Sequence, residues 1–284
     1  MNETDSDHAG YCLAEVRRHD HDRYLAALLA PAERQTDIIG LLAFNLEVAK
    51  TAEVVSEPMM GQIRLQWWRE AIDEAFAGRP RHHAVLEVLA PTIGRHALSR
   101  EHFDRLIDAR EFDLEDEPPE DMTALEAYAE DSSATLLWLM LEILGEESAE
   151  AREAARHAGI AWGLVGMMRA LPFHIGRRRL NLPRAVMSQV GIDPTDLHDR
   201  RQTEHLPDAV RLVSGRAEEH LGEARQLARG VPRTALPALM VVPLTAHYLK
   251  SLARAGHDPA SPVVQRADKL NAWRLAWAKL RGRL

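Results

Sequence analysis

Cysteine is nearly absent from this chain. Cys12 stands alone, which excludes an intramolecular disulfide and fits a reducing compartment. It has no CxxC partner, so no metal or redox role is expected of it. Excess positive charge is absent too. The formal net charge is −8, so no global basic field attracts nucleic acid, and nucleic acid is not an expected partner. No signal-peptide pattern is seen, because residues 1–20 are acidic and polar rather than basic and then apolar. The most apolar run, residues 235–246, is short of the roughly 20 residues that span a bilayer. It carries Pro237 and Pro243 and reads as a buried core helix. Strand signals are missing as well: no alternating run of useful length and no Asn-Gly or Asp-Gly hairpin appears between apolar segments.

What is present is helical periodicity over 284 residues, 46% of them hydrophobic. That length is ample for one large core. A helix is expected at 20–29, stopped near Pro31, and a long one at 33–55. Ser56 and Pro58 would open the next. Helices follow at 82–97, where Pro91 is a candidate break, and at 99–115. The stretch 113–121 holds six acids and two prolines and reads as an exposed loop. Helices at 125–144, 149–168, 208–228, 236–255 and 264–280 complete the chain. The expectation is one all-α domain, a single helical bundle spanning 20–284, behind a flexible segment 1–19.

Several polar residues stand out. Arg110 falls on the apolar face marked by Phe103, Ile107 and Leu114. A buried arginine needs carboxylate partners, and Glu47 or Glu53 would supply them; a snorkelling arginine is the alternative. Asp104, Asp108, Glu111 and Glu115 share a face that reads as a solvated stripe, with a metal site as the sharper alternative. Arg177, Arg178 and Arg179 are candidates to grip phosphate, or form a solvated loop. Trp67 and Trp68 read as core. The clusters His19-Asp20-His21-Asp22 and His82-His83 lack ligand spacing on a helix face, and no metal site is expected. Residues 265–284 hold six Lys or Arg against one Asp, with Leu270, Trp273, Trp277 and Leu280 along one side. This helix, with Arg274 and Lys279, either docks on the domain or lies in an anionic membrane interface.

Motif order then adds a resemblance. Ala43-Phe44-Asn45, Arg64-Leu65-Gln66-Trp67-Trp68-Arg69, the helix opened by Tyr128, and Gly163 to Arg169 followed by Asn181-Leu182-Pro183 resemble the squalene and phytoene synthases over roughly residues 20–250. The resemblance implies an isoprenoid synthase fold with a central cavity. In that family two aspartate-rich helices hold Mg²⁺ against a diphosphate leaving group, as acids three or four apart on one helix face can. Here the corresponding positions read Ala49, Lys50 and Glu53 in the first helix. In the second, Arg169 is kept, while Ala170 and His174 replace the aspartates and Pro172 is expected to disturb the helix.

A branch lacking these aspartates is more similar: the mitochondrial complex I assembly factor with a phytoene synthase-like domain, and its bacterial relatives. The resemblance is carried by Gly61 to Trp68, Tyr128-Ala129-Glu130, Leu141 to Gly145 and Arg169 to His174. It implies a non-catalytic protein that assists assembly of respiratory complex I. Its partner would be a complex I subunit or assembly intermediate, and no cofactor is expected. The alternatives are a Mg²⁺-dependent prenyl-diphosphate transferase using displaced acids such as Glu47, Glu53, Asp108 and Glu111, and a module that holds an isoprenoid or lipid at a membrane surface. Asn45, Glu47, Lys50, Glu53, Arg64, Trp68, Arg110, Glu111, Tyr128, Arg169 and His174 are the candidate cavity residues. The expected location is cytoplasmic, peripheral on the inner membrane in the membrane-bound reading.

Overall fold

The computed structural model describes residues 3–55, 57–115, 117–177, 179–198, 203–266, 268, 270–282 and 284. Ser56, read as a helix cap, lies outside them. Among the described residues no strand forms. The chain opens with α1 (Glu3–His19), α2 (His21–Ala27), α3 (Ala32–Ala49) and the one-turn α4 (Thr51–Val54). It continues with α5 (Pro58–Phe76), α6 (Ala84–His96), α7 (Arg100–Phe112) and α8 (Met122–Ala129). A π-helical turn at Glu130–Ala134 joins α8 to α9 (Thr135–Leu144). Then come α10 (Ala149–Gly176), α11 (Arg184–Val190), α12 (Pro194–His198) and α13 (Leu206–Leu227). The last are α14 (Leu236–Leu239), α15 (Val241–Arg254), α16 (Pro262–Gln265) and α17 (Asn271–Arg281).

Helix α10 is the central post and packs on α8, α9, α13 and α15. Its small residues Ala154, Ala155, Ala158 and Ala161 are all buried. A Cβ on Gly159 would lie 2.5 Å from the Ala134 backbone nitrogen. Only glycine therefore lets α10 touch the π turn. Helix α10 was expected to suffer at Pro172, yet it continues to Gly176. Proline removes one backbone donor, but the buried Leu171 and Ile175 beside it hold the turn by packing. Helix α6 likewise runs past Pro91 to His96.

Three other expectations need correction. Segment 1–19 is helical from Glu3 rather than flexible. Cys12 and Val16, one helical turn apart, have no exposure and seat α1 against α3 and α6. The Cys12 thiol reaches the Ala84 carbonyl at 3.9 Å, and burial pushes its pKa up to about 12. The helix expected at 33–55 breaks after Ala49 into α3 and α4. The acidic stretch 113–121 is a loop but a tethered one. Leu114 and Pro119 are buried, and the Arg184 and Ala185 amides donate to the Pro119 and Glu120 carbonyls at 2.8 and 3.0 Å.

The helix expected at 264–280 is also split, and α17 docks through Asn271, Leu275 and Ala278 onto α15 and α2. Asn271 Nδ2 donates to Asp22 Oδ1 at 2.8 Å and to the Tyr248 hydroxyl oxygen at 3.0 Å. Residues 233–254 are long and apolar enough to cross a membrane. However, 78% of their most apolar window is buried inside the fold, as a core helix requires.

Candidate functional site

A cavity of about 250 Å³ opens between α4, α7, the π turn, α10, Arg177 and residues 179–181. Helix α3 reaches it through its last residue, Ala49, and α10 through Gly163, Ala170 and His174. Of the positions matched to the family's aspartates, Ala49, Glu53, Ala170 and His174 therefore face one space, and Glu53 alone keeps a carboxylate. Lys50, the residue after Ala49, points away from that space. Its Nζ lies 2.8 Å from Glu15 Oε2 on α1 and 3.7 Å from Glu47 Oε1. Glu47 in turn accepts from Arg64 Nη2 at 2.9 Å. Glu15, Lys50, Glu47 and Arg64 thus form an ion-pair chain that fastens α1 over the end of α3.

The cavity floor is polar. Arg110 Nη1 donates to the Tyr128 hydroxyl oxygen at 2.9 Å and to Asp113 Oδ2 at 3.2 Å, and the Tyr128 hydroxyl donates to Asp113 Oδ1 at 2.8 Å. The Arg110 and Asp113 side chains are only 13% and 17% exposed. The expected buried arginine is real, but Asp113 partners it rather than Glu47 or Glu53. Burial and the adjacent Asp113 charge push the Tyr128 hydroxyl above its ordinary pKa, so it remains protonated and acts as a fixed donor. His174 lines the same space, and burial lowers its pKa; the imidazole is neutral near pH 7.

At the mouth, Arg179 Nη2 donates to the Ala52 carbonyl at 2.9 Å, which ties the loop to α4. Arg177 lies 4.4 Å from the Phe173 ring. Neither arginine pairs with a carboxylate among the described residues. Arg178, between them in the run, lies outside the described residues.

The remaining candidates do not reach the cavity. Asn45 and Trp68 are buried in the core, and the Trp68 ring packs edge-on against Phe44. Glu111 and Asp108 both pair with Arg69 on the outer surface, at 2.6 and 2.7 Å. Arg169 lies 3.6 Å from the Tyr248 ring centre, on another side of α10. Of the acids proposed as displaced ligands, Glu53 alone lines the cavity. The sequence reading missed Asp113, though its place three residues after Arg110 is the helical spacing for an ion pair. Glu15 was also missed; no local signal marks a partner 35 residues from Lys50.

These residues do not fit a Mg²⁺–diphosphate centre. Such a centre needs carboxylates converging from two helices. Here Ala49 and Ala170 offer methyl groups, Asp113 is committed to Arg110 and Tyr128, and the other lining acids, Glu53, Glu115 and Glu117, do not gather into a metal-holding group. No group of three His, Cys, Asp or Glu poised for a metal occurs among the described residues.

A family model described as squalene/phytoene synthase matches residues 16–281. The chain belongs to the squalene/phytoene synthase family. Within it, the chain is 37% identical over 260 residues to the rat protein named NADH dehydrogenase (ubiquinone) complex I, assembly factor 6. That match covers 92% of this chain and 78% of the relative. It is 27% identical over 243 residues to presqualene diphosphate synthase of Rhodopseudomonas palustris, covering 84% and 86% of the two chains. The crystal structure of squalene synthase HpnC from Alicyclobacillus acidocaldarius superposes with a TM-score of 0.79 at 23% identity, over 91% of this chain and 98% of that one. The squalene/phytoene synthase fold, an all-α isoprenoid synthase-type bundle around a cavity, is therefore this chain's fold.

Proposed function

We propose that this chain is a squalene/phytoene synthase family member that does not run Mg²⁺–diphosphate chemistry and instead assists the assembly of respiratory complex I. One observation carries the first half. Of the five positions matched to the family's aspartates, Ala49, Glu53, Ala170 and His174 line the cavity and Glu53 is the one carboxylate among them, while Lys50 pairs with Glu15. The second half is supported by relatives named complex I assembly factor 6, at 37% identity in rat and 34% in human. The client would be a complex I subunit or an assembly intermediate, met at the membrane that carries the complex, and no metal cofactor takes part.

Two experiments test the two halves. Purified protein is incubated with Mg²⁺ and farnesyl or geranylgeranyl diphosphate, and diphosphate release is followed. No release above the protein-free control is expected, and steady turnover would overturn the non-catalytic reading. A deletion strain is assayed for assembled NADH:quinone oxidoreductase. A reduced complex is expected, and normal assembly would overturn the assembly role.

A further inference from the structure

The C-terminal helix α17 carries Leu270, Trp273, Trp277 and Leu280 along one side. It docks on the fold with the opposite face. Asn271, Leu275 and Ala278 are buried, while Leu270, Trp273, Trp277 and Leu280 are 62%, 76%, 56% and 74% exposed. The other tryptophans, Trp67, Trp68, Trp138 and Trp162, are buried or half-buried. A helix with one face fixed to the protein and a second, fully apolar face in water leaves that second face without a partner.

The charges around the stripe indicate the partner. The Arg281 guanidinium lies 4.6 Å from the Trp277 ring centre. A groove beside Leu270 is lined by Arg225, Lys250 and Arg254. These three are exposed, and none pairs with a carboxylate among the described residues. The groove's one acid, Asp268, is held by His247 and Arg274 at 2.9 and 3.2 Å. A chain of net charge −8 thus gathers free cations around its most exposed aromatic stripe.

We infer that α17 is an in-plane membrane anchor: Leu270, Trp273, Trp277 and Leu280 enter the headgroup–acyl boundary of an anionic bilayer while Arg225, Lys250, Arg254 and Arg281 meet its phosphates. Tryptophan and leucine on one face with arginine and lysine at the margins suit that boundary. A second copy of the chain fits less well. A two-fold contact through this face would bring the same unpaired cations against each other. The anchor lies on the surface, since the apolar stretch 233–254 is already used inside the fold. The inference stands apart from the complex I reading, and either can fail alone.

The test is flotation of the full chain with phosphatidylcholine vesicles and with vesicles in which about one third of the lipid is phosphatidylglycerol. Binding is expected to the anionic vesicles only and to weaken with added salt. The double variant Trp273→Ser, Trp277→Ser should lose at least about tenfold in partitioning. The variants Lys250→Glu and Arg254→Glu should each lose about fivefold or more. Because the stripe is exposed, circular dichroism should be unchanged. A readout on the unaltered chain needs no variant: brominated acyl chains in the anionic vesicles should quench tryptophan emission. Absence of binding to anionic vesicles, equal partitioning of parent and tryptophan variant, or no quenching would each overturn the anchor. So would self-association in sedimentation that the tryptophan variant removes.

Discussion

Lys50 Nζ lies 2.8 Å from Glu15 Oε2, and this contact joins the first helix of the chain to the end of the third. Both side chains are about one quarter exposed, so the pair is partly screened. Lys50→Ala should lower stability by about 1 kcal/mol in urea unfolding. Lys50→Asp should lose more, because the new carboxylate would join Glu15 and Glu47. If the aspartate variant is as stable as the parent, the ion-pair chain does not hold α1.

The triad on the cavity floor should be far more sensitive. Removing one member of a buried, bonded charge pair leaves the other uncompensated, and Asp113→Ala should cost about 3 kcal/mol. Tyr128→Phe keeps the ring and removes one shared hydroxyl, so about 1–2 kcal/mol is expected. Denaturant midpoints decide the order. A Tyr128→Phe loss equal to that of Asp113→Ala would contradict the geometry.

Gly159 and Gly222 should respond in opposite directions. At Gly159 an added methyl meets the Ala134 backbone, which has no rotamer to yield, and Gly159→Ala should destabilise by more than about 2 kcal/mol. Gly222 is an exposed position of α13 with open space around it. Gly222→Ala should stabilise by about 0.5–1 kcal/mol through helix propensity. Thermal midpoints of the two single variants test both signs.

Mild acid should loosen the fold. Burial lowers the pKa of His83, His102, His157, His174 and His220. A group with a depressed folded pKa contributes stability that is complete above its unfolded value, about 6.5 for histidine. That contribution is lost as pH falls toward the folded value, because the unfolded chain takes up the proton first. The thermal midpoint should therefore drop between pH 7 and pH 5.5 at constant ionic strength. A flat midpoint across that window would contradict it.

Periodicity made the helical architecture legible, together with the buried Arg110, while the aspartate positions now held by Ala49 and Ala170 came from the family resemblance. It failed where a residue's role is set by a distant neighbour. The partner of Lys50 sits on α1, a segment whose few polar-flanked apolar residues hid its docking face. The C-terminal stripe was seen correctly in sequence, but which face met the fold depended on Asn271, a polar residue that finds Asp22 and Tyr248. Pro172 looked disruptive because helix rules count backbone donors, while the surrounding core decided the outcome.

The π-helical turn at Glu130–Ala134 sets the rotational phase between the two arms that flank it. One residue fewer there would let α8 and α9 merge into an ordinary helix and would rotate α8 by about 100° about its axis. Tyr128 would then swing off Arg110 and Asp113, and the cavity would lose its floor without any change in the residues that compose it. Chain length at that one turn, as much as residue identity, keeps the cavity polar.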